Sequence, residues 1–419
     1  MNILNFPKTS WSLNEWLHYI EHLHPHYIDL NLDRIKHVAN RLDLLIKPAP
    51  FIFTVSGTNG KGTTCHMLEI LLIAMGYRVG VYSSPHLLHY TERIRIQGTA
   101  LNKVLHCNSF ANIEAHRGDI LLTYFEFSTL SALYLFREAN LDVVILEVGL
   151  GGRLDATNII DSDIAIITCI ALEHTKLLGN NLESIGREKA GIFRKGKPAI
   201  VGETNIIKSL IDVALEKKAR LLQCNRDWQW KKISDKWILQ DTYGELYDLS
   251  LPQIPLQNAA TALTALRASN LKLNEDIIRK YLPLVTLPGR FQIIQKFPHI
   301  ILDVMHNPHA ACYVASRLKE IKKTSKLHVV IGMLNDKNIK NTLAALLPQV
   351  NYWYCVSLNG PRGVPAKKLM SYLNSGESFD NVADAWKAVF SRVSSKDIIL
   401  VCGSFHTVAL VMQLIKENN

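Results

Sequence analysis

The stretch Phe51-Ile52-Phe53-Thr54-Val55-Ser56-Gly57-Thr58-Asn59-Gly60-Lys61-Gly62-Thr63-Thr64 decides the fold. A β-branched and aromatic run stops at a glycine-rich loop. An apolar helical pattern follows, with Met67, Leu68, Leu71, Leu72 and Met75 on one face and Gly76 as its expected C-terminal cap. Strand, loop and helix in that order predict a phosphate-binding loop. Its glycines tolerate positive φ and close approach, so the backbone can fold tightly around an anion. The backbone N–H groups from Gly57 to Thr64, together with the helix N-terminus, then face the phosphates of ATP. Lys61 would reach the β- and γ-phosphates, and a hydroxyl from Thr63 or Thr64 would hold Mg²⁺. Only Thr58 and Asn59 separate Gly57 from Gly60-Lys61, which is shorter than the common pattern.

Working outward, the 419 residues predict two or three domains with ample core. The chain is 48% hydrophobic and 20% charged, as a soluble globular protein is. The apolar run from Ile164 to Leu172 is too short to span a bilayer, and the N-terminus has no signal-peptide pattern. Seven scattered cysteines without a Cys-x-x-Cys pair predict reduced thiols in the cytoplasm and no zinc site. The net charge of +10 is compatible with nucleic acid. No recognition motif or dense basic run accompanies it, so anionic small molecules are the expected partners, with no nucleic acid and no membrane.

Before the loop, two helices are expected within Ser12–Leu44 from the spacing of Trp16, Tyr19, Ile20 and Leu23 and of Ile35, Val38, Ala39 and Leu42. After it come expected strands at 79–82, 143–146, 164–170 and 199–201, with a helix over 127–138. Strands alternating with helices predict an α/β domain with a mostly parallel sheet covered on both faces. Residues 228–251, with Trp228, Trp230 and Trp237 among lysines and turn residues, predict a small antiparallel excursion in which the tryptophans pack locally. A helix over 258–269 resumes the domain. Leu287-Pro288-Gly289-Arg290 breaks the pattern. The expected division is a first domain over 1–287, a linker over 288–297 and a smaller doubly wound domain over 298–419, with strands at 300–304, 327–333, 352–356 and 398–402.

In open α/β sheets, ligands bind beyond the carboxyl ends of the strands. Four polar features fall at such ends: the phosphate loop, Ser84, Glu147 and His174. A carboxylate closing an apolar strand, as in Val143-Val144-Ile145-Leu146-Glu147, suits a magnesium ligand beside a phosphate loop.

The shortened loop Gly57-Thr58-Asn59-Gly60-Lys61-Gly62-Thr63-Thr64 resembles that of the Mur ligase superfamily, ATP-dependent amide-forming ligases. Longer strings narrow the resemblance: Ser84-Pro85-His86 with Thr91-Glu92-Arg93-Ile94, Glu147 through Asn158, Ile185 through Gly191, Pro288-Gly289-Arg290-Phe291, Asp303 through Pro308, and Gly403-Ser404-Phe405-His406. In this order they resemble the folylpolyglutamate synthase/dihydrofolate synthase family over essentially the whole chain. The resemblance implies a Mur-ligase-like ATPase domain followed by a C-terminal ligase domain.

It also implies site roles. Lys61, Glu147, His174 and Lys189 would be catalytic. Ser84, Glu147 and His174 would hold magnesium beside a hydroxyl of the loop, with Thr63 the expected donor. Lys189 would carry a carbamate that helps hold a second Mg²⁺. Asn258, Arg290, Asp303 and His306 would contact ATP. Thr123, Phe125, Asp155 and Ala156 would bind the pterin of dihydropteroate, as in bifunctional members; the alternative is a monofunctional folylpolyglutamate synthase. A nucleotide-dependent switch without ligation is the rival from another class. The implied partners are ATP, L-glutamate, dihydropteroate and reduced folates, handled by a cytoplasmic monomer. The sequence departs from the family's pattern at Glu173, where Asp is usual, at Lys176-Leu177, where Asp-Trp is common, and at Met305, where a small residue is usual.

Overall fold

In the computed structural model, which describes residues 10–322 and 324–417, the first strand lies inside an eight-stranded sheet. Its strands are β1 (Phe51–Ser56), β2 (Val79–Tyr82), β3 (Ile94–Ile96), β4 (Thr99–Ala100), β5 (Val143–Glu147), β6 (Ile164–Ile167), β7 (Pro198–Val201) and β8 (Arg220–Gln223). The spatial order is β4-β3-β2-β5-β1-β6-β7-β8. From β2 to β8 the neighbours are parallel, while β3 and β4 extend the β2 edge as an antiparallel hairpin.

Helices cover both faces because successive strand residues point in opposite directions. Ile52 of β1 joins Val144 and Leu146 of β5 in one core. That core is closed by α1 (Leu13–Leu23), α2 (Asp33–Arg41), α4 (Lys103–Arg117) and α5 (Tyr124–Glu138). Phe53 and Val55 join Val143 and Ile145 in the other core, against α3 (Lys61–Ala74) and α9 (Leu256–Arg267). A further cluster packs β6 and β7 against α7 (Leu182–Ala190) and α8 (Lys208–Glu216), with the short α6 (Thr175–Leu178) leading into α7. The chain is thus hydrophobic along each central strand, as double-sided burial requires.

The antiparallel excursion is present as β9 (Gln229–Ile233), β10 (Lys236–Asp241) and β11 (Gly244–Ser250). Trp228 and Trp237 are buried with Leu239, Leu246 and Leu249 in the same core as α9, so they pack rather than present a ligand platform.

The chain divides into two units, Met1–Val285 and Thr286–Asn419. The second has a six-stranded sheet of β12 (Gln292–Lys296), β13 (His299–Leu302), β14 (Leu327–Ile331), β15 (Tyr352–Val356), β16 (Glu377–Phe379) and β17 (Ile398–Cys402), in the order β12-β13-β17-β14-β15-β16. All its pairs are parallel except β12 with β13. Residues 288–297, expected as a linker, therefore include an edge strand of the second unit. Their alternation was obscured by the turn residues that bracket them.

The strand expected over 164–170 stops at Ile167. Beyond it Thr168–Ala171 leaves the sheet and gives its polar groups to the phosphate loop. The hairpin β3–β4 and the helix Lys103–Arg117 were not anticipated. Both bear mixed polar and apolar residues whose partners are distant in sequence. Among the described residues, no helix is long and apolar enough to cross a membrane.

Candidate active site

The phosphate loop is held by backbone geometry. Gly57 has φ 141° and Gly60 has φ 88°, and Gly60 precedes the first residue of α3, Lys61. Both positions also exclude a side chain. A Cβ on Gly57 would lie 1.8 Å from Thr168 Oγ1, and one on Gly60 2.6 Å from Asn258 Oδ1. The segment after β6 braces the loop: Thr58 N–H donates to the Cys169 carbonyl (2.8 Å), Ala171 N–H to Thr58 Oγ1 (3.0 Å), and the Thr168 hydroxyl to the Asn59 carbonyl (2.6 Å). Lys61 curls back so that Nζ donates to the Gly57 carbonyl (3.0 Å), which places the ammonium across the loop.

The two loop hydroxyls differ. Thr63 Oγ1 donates to the Gly60 carbonyl (2.9 Å) and accepts from Asn258 Nδ2 (2.8 Å). Thr64 Oγ1 is buried with no hydrogen-bond partner among the described residues. Asn258, expected to contact ATP, abuts the loop and the start of α3.

The strand order brings the other strand-end groups together, since β2, β5, β1 and β6 are neighbours in space. Glu147 closes β5, is 4% exposed, and accepts a hydrogen bond from the Ser84 backbone N–H at 3.2 Å. His174 lies on the loop after β6 in the left-handed region, φ 52°, a conformation uncommon outside glycine, asparagine, aspartate and histidine. Its Nε2 is 4.0 Å from Glu173 Oε1, so the family departure at Glu173 keeps a carboxylate beside the imidazole. Leu178, not Leu177, turns inward; Leu177 is exposed.

A small pocket lies between the phosphate loop, the turn after β5 and the segment after β6. It is lined by Gly57, Thr58 and Lys61 of the loop, Gly149 and Gly151 after β5, Glu173 and His174, and Lys189. Lys189, on the last turn of α7, is 5% exposed and pairs with no carboxylate among the described residues. Burial, reinforced by the Lys61 charge, pulls the Lys189 amine down to about 7. Both effects favour the neutral amine, the form able to act as a nucleophile.

The expected pterin residues gather beside this pocket, largely engaged in local structure. Thr123 caps α5, its hydroxyl accepting from Glu126 N–H (3.2 Å) while the Glu126 carboxylate accepts from Thr123 N–H (2.7 Å). Phe125 packs on Gly149: a Cβ there would be 2.5 Å from the ring. Its ring is 5.7 Å from that of Tyr82. Asp155, 2% exposed, accepts from Leu150 N–H (2.9 Å), Thr157 N–H (3.0 Å) and the Thr157 hydroxyl (2.7 Å). Burial raises its carboxyl above the ordinary range against these hydrogen bonds. Ala156, 5% exposed, starts the 3₁₀ turn that follows.

In the second unit, Arg290, Asp303 and His306 gather around the end of β13. Asp303, 6% exposed, accepts from Phe291 N–H (2.7 Å) and Met305 N–H (2.8 Å). Burial pushes its carboxyl up, partly offset by the Arg290 charge. Arg290 stacks 4.9 Å over the Phe405 ring, and His306 lies 6.3 Å from the same ring. Met305 turns into the second unit's core, 3% exposed, so this departure from the family is absorbed by packing.

The donors suit a hard divalent cation that keeps several waters and shares phosphate oxygens. Among the described residues no three His, Cys, Asp or Glu side chains converge as a metal cage. What the strand and helix ends offer is one buried carboxylate, Glu147, bonded to the Ser84 N–H, and hydroxyls at the start of α3, of which that of Thr64 is buried without a partner among the described residues. That is the donor set of Mg²⁺ or Mn²⁺ at a phosphate site, not of zinc. Sequence reading missed the braces Thr168 and Cys169, and the carboxylates Glu69, Glu92 and Glu126, which organise the surrounding backbone. Glu126 was detectable, since it stands three residues after Thr123 in a capping-box spacing.

Fold and site together define an ATP-dependent ligase of the Mur type. Residues 55–266 match the Mur ligase middle domain, and 289–405 match the Mur ligase, glutamate ligase domain. The dihydrofolate synthase/folylpolyglutamate synthase of Escherichia coli (strain K12) is 56% identical over 415 residues, covering 99% of this chain and 98% of that protein. A structure of E. coli FolC in complex with DHPP and ADP superposes with a TM-score of 0.97 at 55% identity, covering 99% of this chain and 100% of that one. The bifunctional folylpolyglutamate synthase/dihydrofolate synthase of Yersinia pestis, complexed with AMPPNP and Mn ion, gives 0.95 at 55% identity, covering 98% and 100%. The chain belongs to the dihydrofolate synthase/folylpolyglutamate synthase family of ATP-dependent ligases.

Proposed function

We propose that this protein, a cytoplasmic monomer, joins the amine of L-glutamate to a carboxylate of dihydropteroate, giving dihydrofolate, and to that of tetrahydrofolates, giving polyglutamates. The observation that carries this reading is the pocket where the phosphate loop, the β5 turn and Lys189 meet. A carboxylate does not condense with an amine directly, because oxide is a very poor leaving group. Phosphoryl transfer from ATP converts it to an acyl phosphate, the amine attacks, and phosphate leaves.

Within this reading Lys61 and the loop N–H groups hold the phosphates and offset charge as the γ-phosphoryl group moves. Glu147, Ser84, His174 and a loop hydroxyl would hold Mg²⁺. The bound ion would neutralise phosphate charge and fix donor and acceptor oxygens in line. Thr64 is a second candidate for that hydroxyl beside Thr63, because its oxygen is buried and otherwise unsatisfied. Phe125 and the turn held by Asp155 would receive the pterin. Arg290, Asp303 and His306 would contact the nucleotide; residues 1–287 would carry the phosphate loop and the folate site, and 298–419 would be the ligase domain.

Lys189 is read as a carbamate that contributes hard oxygen to a second ion. The lowered amine pKa supports this, since only the neutral amine adds CO₂. Lys189→Glu should then keep some activity and Lys189→Arg less. Lys189→Arg outperforming Lys189→Glu, or an unmodified amine in active enzyme, would overturn the carbamate. The proposed reaction itself is tested by assaying purified protein with ATP, Mg²⁺ and glutamate against dihydropteroate and tetrahydrofolate separately. ADP release that requires both glutamate and a pteroate-type substrate supports the ligase. Release without them indicates a switch, and turnover of tetrahydrofolate alone indicates a monofunctional enzyme.

A further inference from the structure

The segment between β2 and β3 brings Ser84 to Glu147, and its ends are gripped from α3. Glu69, in the third turn of that helix, is 1% exposed. Arg95, on β3, reaches it through Nε (3.0 Å to Oε1) and Nη2 (2.9 Å to Oε2). The other side of the same guanidinium donates from Nη1 to Ser83 Oγ (2.9 Å) and to the Glu92 carbonyl (2.9 Å). One planar fork thus ties both ends of the Ser83–Glu92 segment to the helix that begins at Lys61. His66 Nδ1 lies 3.1 Å from Glu69 Oε2, the oxygen that also accepts from Arg95 Nη2.

The segment is also closed internally. Ser83 N–H donates to the Arg93 carbonyl (2.9 Å). The Glu92 carboxylate accepts from the N–H groups of Leu87 (2.7 Å), Leu88 (2.8 Å) and His89 (2.7 Å). The segment has several attachments: Tyr90 packs against His106, Phe110 and Tyr124, Arg93 lies over the Tyr90 and Tyr124 rings, and Ser84 N–H donates to Glu147. Arg95 supplies the one that reaches α3 through a charged pair. Stability alone is a poor reason for such a pair, because an apolar replacement of both partners is often as stable. Positioning is a better one: five fixed donors on a planar group specify direction in a way that apolar packing does not.

We infer that Glu69 and Arg95 are a positioning pair that holds Ser84 in register with Glu147 and Lys61, so that the metal and phosphate end of the site is assembled before its ligands arrive. This rests on the ligase reading above. Two variants separate position from stability. Glu69→Gln removes the charge opposite Arg95 and leaves one acceptor oxygen; the double variant Glu69→Leu/Arg95→Met removes both charges while keeping apolar bulk. Hydrogen exchange of residues 83–93 is followed in metal-free protein, and Mn²⁺ binding with AMPPNP is followed by electron paramagnetic resonance. In the double variant we expect exchange of this segment to rise about tenfold or more and Mn²⁺ affinity to fall about tenfold, with a thermal midpoint close to that of the unaltered protein.

Unchanged exchange in the double variant overturns the inference. So does faster exchange with unchanged Mn²⁺ affinity, which would make the pair a local brace only. If Glu69→Gln does not fold, the double variant alone decides. Failure of the unaltered protein to bind Mn²⁺ with AMPPNP would instead overturn the ligase reading and the metal half of this inference, while the exchange result would still report on the latch.

Discussion

Two loops meet at the strand ends of the first unit, and they are built on opposite principles. Gly57–Thr64 is fixed by main-chain φ angles and by main-chain and hydroxyl bonds to Thr168–Ala171. Residues 83–93 are fixed by charged side chains, the Glu92 carboxylate within and the Glu69–Arg95 pair outside. A loop held by its own backbone presents N–H groups to an anion in a geometry that most side-chain changes leave alone. A loop held by carboxylates and a guanidinium answers to single charges and to pH. The difference teaches where each kind of substitution does damage.

The sharpest break in the comparison is Lys61→Ala. Among the described residues the ammonium's hydrogen bonds go to main-chain carbonyls of its own loop, so its removal should leave the thermal midpoint nearly unchanged. Turnover should fall by roughly 10³-fold or more, measured as ADP release in the full assay, because the transferring charge loses its partner. Near-normal turnover would remove the phosphate-loop assignment.

Gly57→Ala should break the same loop through its backbone. The new Cβ meets Thr168 Oγ1 at 1.8 Å at a φ of 141°, and Thr168 cannot move without releasing the Asn59 carbonyl. Denaturant unfolding should show a loss of about 2–3 kcal/mol, with nucleotide binding impaired in parallel.

In the other loop, Glu92→Ala strips three main-chain N–H groups of their acceptor. Water reaches part of this segment, so the expected loss is smaller, about 1–2 kcal/mol. Glu92→Gln, which keeps one acceptor oxygen, should lie between the variant and the unaltered protein.

The smallest effect is on pH. Burial by itself would raise the Glu69 carboxyl, but the hydrogen bond with His66 and the Arg95 charge outweigh it and hold the group below its ordinary 4.5. A carboxyl depressed on folding stabilises fully above its unfolded value and loses that contribution as pH falls through the folded one. The difference in thermal midpoint between unaltered protein and Glu69→Gln should therefore be constant near neutrality and shrink below pH 4.5. A difference that grew on acidification would contradict the pairing.

The sequence by itself determined the α/β class, the phosphate loop and the strand-end positions of Ser84 and Glu147. Each is written locally: alternating or continuous apolar runs set strands, glycine spacing sets the loop, and a polar residue closing an apolar run marks the end of a strand. The resemblance to a ligase family was likewise carried by contiguous strings. The tertiary structure alone decided what depends on residues far apart. It shortened the fourth central strand at Ile167 so that Thr168 and Cys169 could brace the loop. It moved residues 292–296 from linker to edge strand, because only β13 supplies their hydrogen bonds. It buried Lys189 beside Lys61 and so lowered its amine to about 7, an effect of desolvation that no spacing of residues records. And it joined Glu69 to Arg95, which are ordinary helix and strand residues until the fold sets the guanidinium against a buried carboxylate.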